Sequence, residues 1–299
     1  MIFGLVKKIP LLADAKKITP ITKGYSHDQK YELDGRYLLR LFPLDTEHSR
    51  RHEFETMKLL RPHSLFIPQA IEFGSLPETG FSYMILSYMQ GKDGEEALQE
   101  LKECVQFDTG MQAGAELRKL HAVEAPSGHP GWYSVKKAKS DRYIEQLKQM
   151  DTGLEKKKLN RLVGYIHGNE YLMKGRPNRF QHDDFHPSNL LIHQDEFSGI
   201  IDFQRMDWGD PLHDLVKLGF FSVRTSRPFT IGILKGYFDG KGPDDSFWRL
   251  YSLYSAMHII SALVWGEKLK DNGQLLRLSE KVLADHDDFR NDRPSWYSD

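Results

Sequence analysis

The stretch that decides the fold is residues 181–192, QHDDFHPSNLLI, which is followed at residues 199–203 by GIIDF. A polar, carboxylate-rich loop leads into an apolar strand, and after a short turn a second apolar strand ends in another carboxylate. The predicted hairpin brings Asp202 towards Asp184 and Asn189, although Asp202 lies eighteen residues beyond Asp184. One base and two oxygen ligands in this order are typical of sites that move a phosphoryl group from a nucleotide.

The bulk composition is that of an ordinary globular protein, with 39% hydrophobic and 28% charged residues among 299. The net charge of −1 argues against a broad basic surface for nucleic acid. No apolar run approaches the roughly 20 residues of a membrane span, and the N-terminus lacks the order of a secretory signal. The single cysteine, Cys104, excludes an internal disulfide and is expected to be buried. We therefore expect a cytoplasmic monomer or homodimer.

The first third of the chain has the pattern of a small β-rich lobe. Residues 18–42 contain three strand-like runs joined by tight turns, and residues 47–60 carry apolar side chains at helical spacing. Residues 81–89 form a further apolar strand run, and the glycine-rich break at residues 90–94 ends the pattern. We predict an N-terminal nucleotide-binding lobe at residues 1–89.

Beyond this break the pattern is mainly helical. The predicted helices share an amphipathic spacing and cover residues 107–121, 141–167 and 244–289. The two strong strand signals are residues 190–193 and 199–203, joined by a five-residue loop. We predict a catalytic and substrate-binding lobe at residues 90–299, and hence an α+β fold with a cleft between its two lobes.

The polar loop and the hairpin together offer the groups that phosphoryl transfer needs. Asp184, in the loop, is placed to accept the proton of an attacking hydroxyl. Asn189 offers an amide oxygen, and Asp202 offers a carboxylate at the end of the neighbouring strand. Hard oxygen ligands of this kind suit Mg²⁺, which keeps waters and phosphate oxygens in its remaining positions.

These residues resemble the aminoglycoside phosphotransferase and choline kinase superfamily. The matching segments are His182-x-Asp184-x-x-x-x-Asn189, Ile201-Asp202-Phe203 and Gly209-Asp210-Pro211-x-x-Asp214. The three occur in the family's order and spacing, and the resemblance extends over roughly residues 18–265. It implies a two-lobed, protein-kinase-like fold, with a small antiparallel sheet followed by a mainly helical lobe. It also implies that Asp210 ties the loop to the next helix and that Asp214 caps this helix.

By this resemblance, the catalytic residues are Asp184 and His182. Asp184 orients the acceptor hydroxyl or takes its proton, and His182 braces the catalytic loop rather than carrying a proton. Asn189 and Asp202 are implied as the Mg²⁺ ligands. Asp183 stands where the family usually has glycine, and its side chain is expected to face solvent.

The N-terminal half resembles the same family more loosely. Gly24-x-Ser26 is similar to its nucleotide-binding loop, where backbone N–H groups approach phosphate. On the next strand the family places a cation against the α- and β-phosphates, and this chain offers Arg40, with Glu53 as its expected helical partner. Arginine presents a rigid fork where lysine presents a point charge, so the phosphate geometry is expected to differ from that of a protein kinase.

The end of the strand at residues 86–89 resembles the hinge that binds the nucleotide base, with Ser87 and Met89 as candidate contacts and ATP or GTP as the donor. An aminoglycoside is the leading acceptor, and an amino alcohol such as choline, homoserine, a sugar or a macrolide are alternatives. A cationic acceptor would find carboxylates near the C-terminus, although a solvated surface is the commoner fate of such residues. These carboxylates, the acidic end, are Asp285, Asp287, Asp288, Asp292 and Asp299.

Other interpretations of the loop remain open. A polar surface loop beside a hairpin would need no ligand. A zinc or dimetal hydrolase would use the cluster His182, Asp183, Asp184 and His186. A nucleotide-binding module without activity would usually lack one of the three site residues. A protein kinase is disfavoured because Asp202-Phe203 is not followed by glycine and no Ala-Pro-Glu segment follows.

Overall fold

The N-terminal part of the chain is a five-stranded antiparallel sheet with two helices. The computed structural model describes residues 2–24, 27–271 and 273–297. The strands, in the order β1-β2-β3-β5-β4, are β1 (Ile18–Ile21), β2 (Gln29–Leu33), β3 (Tyr37–Pro43), β4 (Ala70–Leu76) and β5 (Phe81–Ser87). The helices are α1 (Ile2–Val6) and α2 (Glu47–Leu60). We call this part the N-terminal lobe and everything from α3 onward the C-terminal lobe.

The alternation of side chains along β3 explains the two layers of the N-terminal lobe. Leu39 and Leu41 point to one face and pack with Val6 and the segment that follows α1. Phe42, on the other face, packs against Phe54 and Met57 of α2. This second face borders the cleft. A polar side chain of β3 that points to the same face as Phe42 therefore lies on the cleft side of the sheet.

The C-terminal lobe consists mainly of helices. They are α3 (Gly94–Ala97), α4 (Glu103–Leu120), α5 (Trp132–Leu147), α6 (Lys156–Asn169), α7 (Val223–Thr225), α8 (Arg227–Tyr237), α9 (Asp245–Leu269) and α10 (Gln274–Asp285). The long helix α9 is buried along most of its length. Helices α4 and α8 run in the same direction and approach very closely because glycines line their contact: a β-carbon on Gly236 would lie 1.9 Å from the Met111 carbonyl oxygen.

Two small antiparallel sheets carry the polar loop. The first has the order β6-β8-β9 and consists of β6 (Lys92–Asp93), β8 (Leu190–His193) and β9 (Glu196–Ile200). The second pairs β7 (Arg179–Gln181) with β10 (Asp207–Gly209). Residues 182–189 therefore begin directly after one sheet and end directly before the other, which fixes both ends of the loop.

The predicted α+β fold is confirmed, and several predicted boundaries are wrong. The helix predicted at residues 141–167 is two helices, α5 and α6, because Gly153 adopts a left-handed φ of +71° between them. The helix predicted at residues 244–289 breaks between α9 and α10, where Lys270 and Gly273 are also left-handed. Cys104 is exposed rather than buried. None of the described helices is long and apolar enough to cross a membrane.

The hairpin that carries Asp202 also differs from the prediction. Its loop is the two-residue turn Gln194-Asp195, with φ of +51° and +64°, which matches the right-handed twist of the flanking strands. Strand β9 consequently begins at Glu196 and ends at Ile200. Asp202 is therefore not the last residue of a strand: it follows the strand with a φ of +65°. The left-handed turn releases its side chain from the alternation of β9.

Candidate active site

Asp214 holds the backbone at the start of the polar loop, residues 182–189, which is the candidate catalytic loop. Its carboxylate accepts hydrogen bonds from the backbone N–H of His182 at 2.6 Å and of Asp183 at 2.8 Å. His121 Nε2 lies 3.0 Å from the same carboxylate, and His121 Nδ1 lies 2.8 Å from the Tyr237 hydroxyl. A carboxylate can only accept, so Nε2 carries the proton and Nδ1 accepts from Tyr237. The side chains of Asp214, His121 and Tyr237 are all buried, which makes this a rigid support.

Asp210 and Asp214 have the opposite roles to those predicted. Asp210, not Asp214, caps the short 3₁₀ helix Pro211–Val216 by accepting from the Leu212 N–H at 3.1 Å. Arg176 and the Tyr254 hydroxyl bind the remaining positions of the Asp210 carboxylate at 2.6 Å and 2.7 Å. Asp214 instead ties the loop. The spacing of Asp210 and Asp214 fits either assignment, because the turn that separates them is tight enough for both to reach the loop.

Asp184 lies at the floor of the cleft with its side chain 19% exposed. Burial disfavours its charge, yet the neighbouring His186, Lys217 and Arg205 hold the pKa of this carboxyl well below its usual range. His186 Nε2 and Lys217 Nζ each lie 3.5 Å from Oδ1, and Arg205 Nε lies 3.8 Å from Oδ2. The carboxylate is thus ionised and able to accept a hydrogen bond from a hydroxyl.

Lys217 and Arg205 do not figure in the sequence prediction. Lys217 lies three residues after Asp214, one turn further along the same helical segment, so it reaches the same loop. Helical spacing from Asp214 is the signal that would have found Lys217. Arg205 follows Asp202 in an irregular segment, and its position depends on the left-handed turn at Asp202 that the pattern did not reveal.

Asn189 and Asp202 are brought together by the β8–β9 pairing. The Ile201 N–H donates to the Asn189 carbonyl at 2.9 Å, which places the two candidate ligands on neighbouring chain segments. The amide N–H₂ of Asn189 donates to the Asp184 backbone carbonyl at 2.9 Å. This bond orients the amide so that its oxygen is left for a cation. With the Asp202 carboxylate about one third exposed, the two oxygens fit Mg²⁺.

His182 links the catalytic loop to the segment before Asp202. Its ring is fully buried, and its Nε2 lies 2.9 Å from the Ile201 carbonyl, to which it donates. Burial is the largest influence on the ring and lowers its pKa, so the neutral form is favoured. Because the Nε2 proton is held by the Ile201 carbonyl, the geometry is that of a brace and not of a group that carries a proton to the substrate.

Asp183 is not directed wholly to solvent as predicted, because its side chain is 30% exposed and also contacts His213. Its carboxylate lies 3.4 Å from His213 Nδ1, and His213 Nε2 lies 2.6 Å from Lys136 Nζ. Burial disfavours the charge of Asp183, yet His213, Lys217 and Lys136 lower its pKa. The side chain turns inward because φ at Asp183 is +57°, a left-handed conformation that aspartate tolerates better than most residues.

The cluster proposed for a metallohydrolase is not assembled. Among the described residues, three side chains of metal-binding type come within reach of one another: Asp183, His213 and Asp214. His213 Nε2 contacts Lys136, the Asp214 carboxylate accepts from two backbone N–H groups of the loop, and Asp183 lies 3.4 Å from His213 Nδ1. His182 is turned away toward a carbonyl oxygen. The hydrogen bonds therefore account for the cluster without a zinc ion.

Arg40 and Glu53 form the ion pair expected from the sequence. Arg40 Nη1 donates to Glu53 Oε1 at 2.6 Å, and both side chains are buried. A second carboxylate, Asp28, accepts from Arg40 Nη2 at 2.5 Å and is also bound by Arg50. These four residues, the buried charge cluster, join β2, β3 and α2. Glu55, two residues further along α2, is exposed and pairs with a lysine on its own helix.

The nucleotide-loop and hinge residues occupy the edge of the cleft. Gly24 has a φ of +105°, which favours glycine, while Ser26 lies outside the described residues. The Ser87 N–H donates to the Gln69 carbonyl at 2.9 Å, and Ser87 Oγ accepts from the Gln69 N–H at 2.8 Å. A base contact by Ser87 would therefore rest on its carbonyl. Met89 follows the end of β5.

A family comparison decides the identity of this arrangement. The profile of a phosphotransferase enzyme family matches residues 17–251, which is most of the chain and includes every candidate site residue predicted from the sequence. The chain belongs to this family.

Solved structures of aminoglycoside phosphotransferases share the fold. The gentamicin complex of APH(2")-IIa has a TM-score of 0.66 and 19% identity, over 94% of this chain and 95% of that chain. The GDP complex of aminoglycoside 2'-phosphotransferase-IIIa has a TM-score of 0.68 and 18% identity, over 93% and 94%. A thermostable mutant of APH(4)-Ia with ADP and hygromycin B has 0.67 and 17%, over 93% and 95%. This likeness confirms the two-lobed, kinase-like fold.

The acidic end is largely neutralised by the protein's own groups. Asp285 contacts Arg224, and Asp288 lies 3.3 Å from Arg161. The remaining described members, Asp287 and Asp292, contact Arg290 at 2.9 Å and the Tyr165 hydroxyl at 2.8 Å. Asp299 lies outside the described residues. The acidic end therefore presents less negative charge to an acceptor than its sequence suggests.

Proposed function

We propose that this protein transfers the γ-phosphoryl group of ATP or GTP to a hydroxyl group of a small molecule. The observation that carries the proposal is the grouping of an ionised Asp184 with Asn189 bonded to it, while Asp202 follows the strand paired beside Asn189. Family membership supports the same reaction class. The intact set of three residues favours an active enzyme over a silent nucleotide-binding module.

The reaction needs one base, and Asp184 supplies it. The acceptor hydroxyl donates a hydrogen bond to Asp184, a bond forms between this oxygen and the γ-phosphorus, and the bond from phosphorus to the bridging oxygen breaks. ADP or GDP leaves, and the proton passes to Asp184. Because the pKa of Asp184 is held low, it is a weak base, so its main contribution is to orient the hydroxyl.

The remaining residues position the nucleotide. Asn189 and Asp202 would hold Mg²⁺, which offsets charge on the phosphates when it is bound. The turn at Gly24, with Ser26, lies beside the phosphates in this proposal, and the chain at Ser87 and Met89 contacts the base. His182 and Asp214 keep the catalytic loop in place. We propose a cytoplasmic location for the enzyme.

An aminoglycoside is the first acceptor to test. Three enzymes of the same fold were solved as aminoglycoside phosphotransferases, among them complexes with gentamicin and hygromycin B. Activity of this kind would inactivate an antibiotic, so expression in a susceptible bacterium should raise the inhibitory concentration of the accepted drug.

A hydroxy amino acid such as homoserine is a second acceptor favoured by a specific observation. Lys217, Arg205 and His186 surround the Asp184 carboxylate at 3.5 to 3.8 Å, so the wall of the acceptor site beside the base carries positive charge. Such a wall attracts an acceptor carboxylate and repels a polycation. The neutralisation of the acidic end also favours such an acceptor, because fewer free carboxylates are left to bind a polycation.

A coupled ADP- and GDP-release screen tests the proposal. Aminoglycosides, homoserine, choline, simple sugars and a macrolide are offered with each nucleotide and Mg²⁺. The matched control is Asp184→Asn, which keeps the shape of the side chain and removes its charge. We expect acceptor-dependent release to fall by about 10³-fold or more in this variant, while nucleotide affinity stays within a few-fold of wild type.

The screen has clear adverse outcomes. Release that is unaffected by Asp184→Asn would refute the assigned base. Binding of Mg²⁺-nucleotide without release for any hydroxyl acceptor would favour the silent module. A positive result for one acceptor class separates the two candidates, because an aminoglycoside is a polycation, whereas a hydroxy amino acid is a zwitterion that carries a carboxylate.

A further inference from the structure

Arg40, the cation expected at the nucleotide phosphates, is already engaged by protein carboxylates. Its guanidinium makes hydrogen bonds to both Asp28 and Glu53, using Nε, Nη1 and Nη2. The side chain is only 4% exposed. With Arg50 on the far side of Asp28, the buried charge cluster contains two positive and two negative groups and is neutral. Little of the Arg40 charge or donor capacity is left for a phosphate.

Lys30 occupies the neighbouring position on the sheet and points into the cleft. It lies directly opposite Arg40 in the β2–β3 register, so both side chains leave the same face. Lys30 Nζ is 4.0 Å from Asp202 Oδ2, and a β-carbon on Gly24 would lie 3.6 Å from it. The ammonium therefore stands between the glycine turn and a candidate Mg²⁺ ligand. Both Gly24 and Lys30 line one cavity at this edge.

We propose that Lys30, on β2, is the cation that contacts the α- and β-phosphates, and that Arg40 acts only as a positioning residue. The inference rests on the nucleotide binding proposed above. A chain of phosphates that spans the glycine turn and the metal ligand must pass beside Lys30 Nζ. A lysine ammonium supplies three donors from a compact point charge, which suits a polyphosphate whose position varies during transfer.

The buried charge cluster explains why β3 carries arginine here. The planar fork of Arg40 satisfies Asp28 and Glu53 at once, which a single ammonium does less well. The cluster thereby fixes β2, β3 and α2 relative to one another. Lys30 leaves the same sheet face one strand further from α2, so the cluster also fixes the site from which its side chain extends. One lysine often both fixes the position of the sheet and supplies the charge that contacts phosphate. Here Arg40 fixes the position and Lys30 supplies the charge.

Binding of nucleotide and nucleoside separates these two roles. Calorimetry compares Mg²⁺·ADP with adenosine, or Mg²⁺·GDP with guanosine if wild type prefers guanine. In Lys30→Met, we expect the diphosphate affinity to fall about 10- to 100-fold, the effect of losing a charge-assisted contact, and the nucleoside affinity to stay unchanged. Lys30→Arg should recover part of the loss. Lys58→Met, which removes an exposed lysine on α2, should change neither affinity.

The companion variant is Arg40→Lys, which keeps one positive charge at β3. We expect it to lower the melting temperature and to leave the ratio of diphosphate to nucleoside affinity unchanged. The proposal is overturned if Lys30→Met folds normally and keeps the wild-type ratio, or if it weakens both ligands equally. It is also overturned if Arg40→Lys alone lowers the ratio. Wild type that binds neither nucleotide would instead overturn the proposed function itself, and this inference with it.

Discussion

At the scale of single residues, charge in the C-terminal lobe is arranged around buried or half-buried aspartates. Asp184 has cations on both of its oxygens, Asp183 has His213, and Asp214 has the backbone of the loop. Burial disfavours the charge of Asp184 and of Asp183, but the neighbouring cations hold both pKa values low. The Asp202 carboxylate is about one third exposed and has Lys30 Nζ 4.0 Å from Oδ2, which leaves it more available to a metal ion than Asp184.

Asp202→Ala tests that availability. Without this carboxylate, we expect the dependence of nucleotide affinity on Mg²⁺ to weaken by at least about tenfold, since one of the chain's two ligands is gone. The measurement is titration of ADP or GDP with Mg²⁺ and with EDTA. Glu196→Ala, an exposed carboxylate on the same hairpin, is the control and should retain the full Mg²⁺ effect. An unchanged Mg²⁺ effect in Asp202→Ala would remove this residue from the metal site.

Lys136 provides a pH test of the buried network behind the catalytic loop. Burial, and next the charge of Lys139, lowers the pKa of Lys136 to about 7 from an ordinary value of 10.5. Between about pH 7 and pH 10.5, Lys136 is protonated in the unfolded chain and deprotonated in the folded chain. Stability therefore rises with pH across this window, by at most about 1.4 kcal/mol per pH unit from this group, and the slope is lost below about pH 7.

Lys136→Met should remove this contribution. The free energy of unfolding of the variant should exceed that of wild type by most at pH 6 to 7, and this difference in stability should shrink toward pH 10. Urea unfolding at pH 6, 7, 8.5 and 10 measures it, with Lys148→Met at the exposed end of α5 as control. An identical slope in wild type and Lys136→Met would mean that Lys136 stays protonated in the fold, held by Asp183 through His213.

At the scale of elements, the α4–α8 contact supports the catalytic loop from a distance. The two helices meet through Gly110 and Gly114 on one side and Gly232 and Gly236 on the other. His121 follows the end of α4, and Tyr237 is the last residue of α8. Their hydrogen bond leads to Asp214, so the distance between the helices sets the position of the loop support.

Gly236→Ala tests this support. Its β-carbon would fall 1.9 Å from the Met111 carbonyl oxygen, so the helices must separate. We expect a loss of stability of about 1–3 kcal/mol and a lower kcat, because His121 and Tyr237 move apart. Gly164→Ala is the matched control: it lies on exposed α6 with nothing within 4 Å, and should stabilise by about 0.5–1 kcal/mol. Equal effects of the two substitutions on urea unfolding would contradict the close contact.

The same elements explain which features could be predicted from sequence. The apolar runs of β3 and β8, the helix at residues 47–60 and the Arg40–Glu53 pair follow from periodicity and family spacing. The end of β9 does not, because the left-handed turn at Asp202 depends on the loop around it. The inward turn of Asp183 needs His213, thirty residues away. From the sequence, the glycines in α4 and α8 are only weak helix formers. Their role in the close contact between the two helices can be seen only once the partner helix is known.

At the scale of the whole molecule, the segment after α2 joins the two lobes. Phe66 stacks on Phe197 of β9 with ring centroids 5.4 Å apart, and the Phe66 carbonyl accepts from the Ile200 N–H at 2.7 Å. Ser64 donates to Glu116 of α4 at 2.5 Å. One apolar core cluster contains Phe197 together with residues of α2 and of the C-terminal lobe. The lobes are therefore linked beside residues 88–91, because a β-carbon on Gly199 of β9 would meet both the Met89 side chain and the Phe66 carbonyl oxygen.

Phe197→Ala should weaken this link more than it weakens either lobe. The substitution deletes a side chain that is 3% exposed and removes the stacking with Phe66, at a cost of about 3–5 kcal/mol. Because the lost contacts cross the lobe boundary, we expect scanning calorimetry to resolve two transitions where wild type has one. Nucleotide KM should rise, since in the proposed function the base, the phosphates and the metal contact different lobes.

Phe229→Ala is the matched control, because it deletes the same side chain from the interior of the C-terminal lobe. It should lower the melting temperature without splitting the transition. Mg²⁺·nucleotide should bring the two transitions of Phe197→Ala closer together, since a ligand held by both lobes restores part of the coupling by mass action. A single transition in Phe197→Ala, shifted like that of Phe229→Ala, would mean that the predicted boundary between residues 89 and 90 does not separate two energetic units.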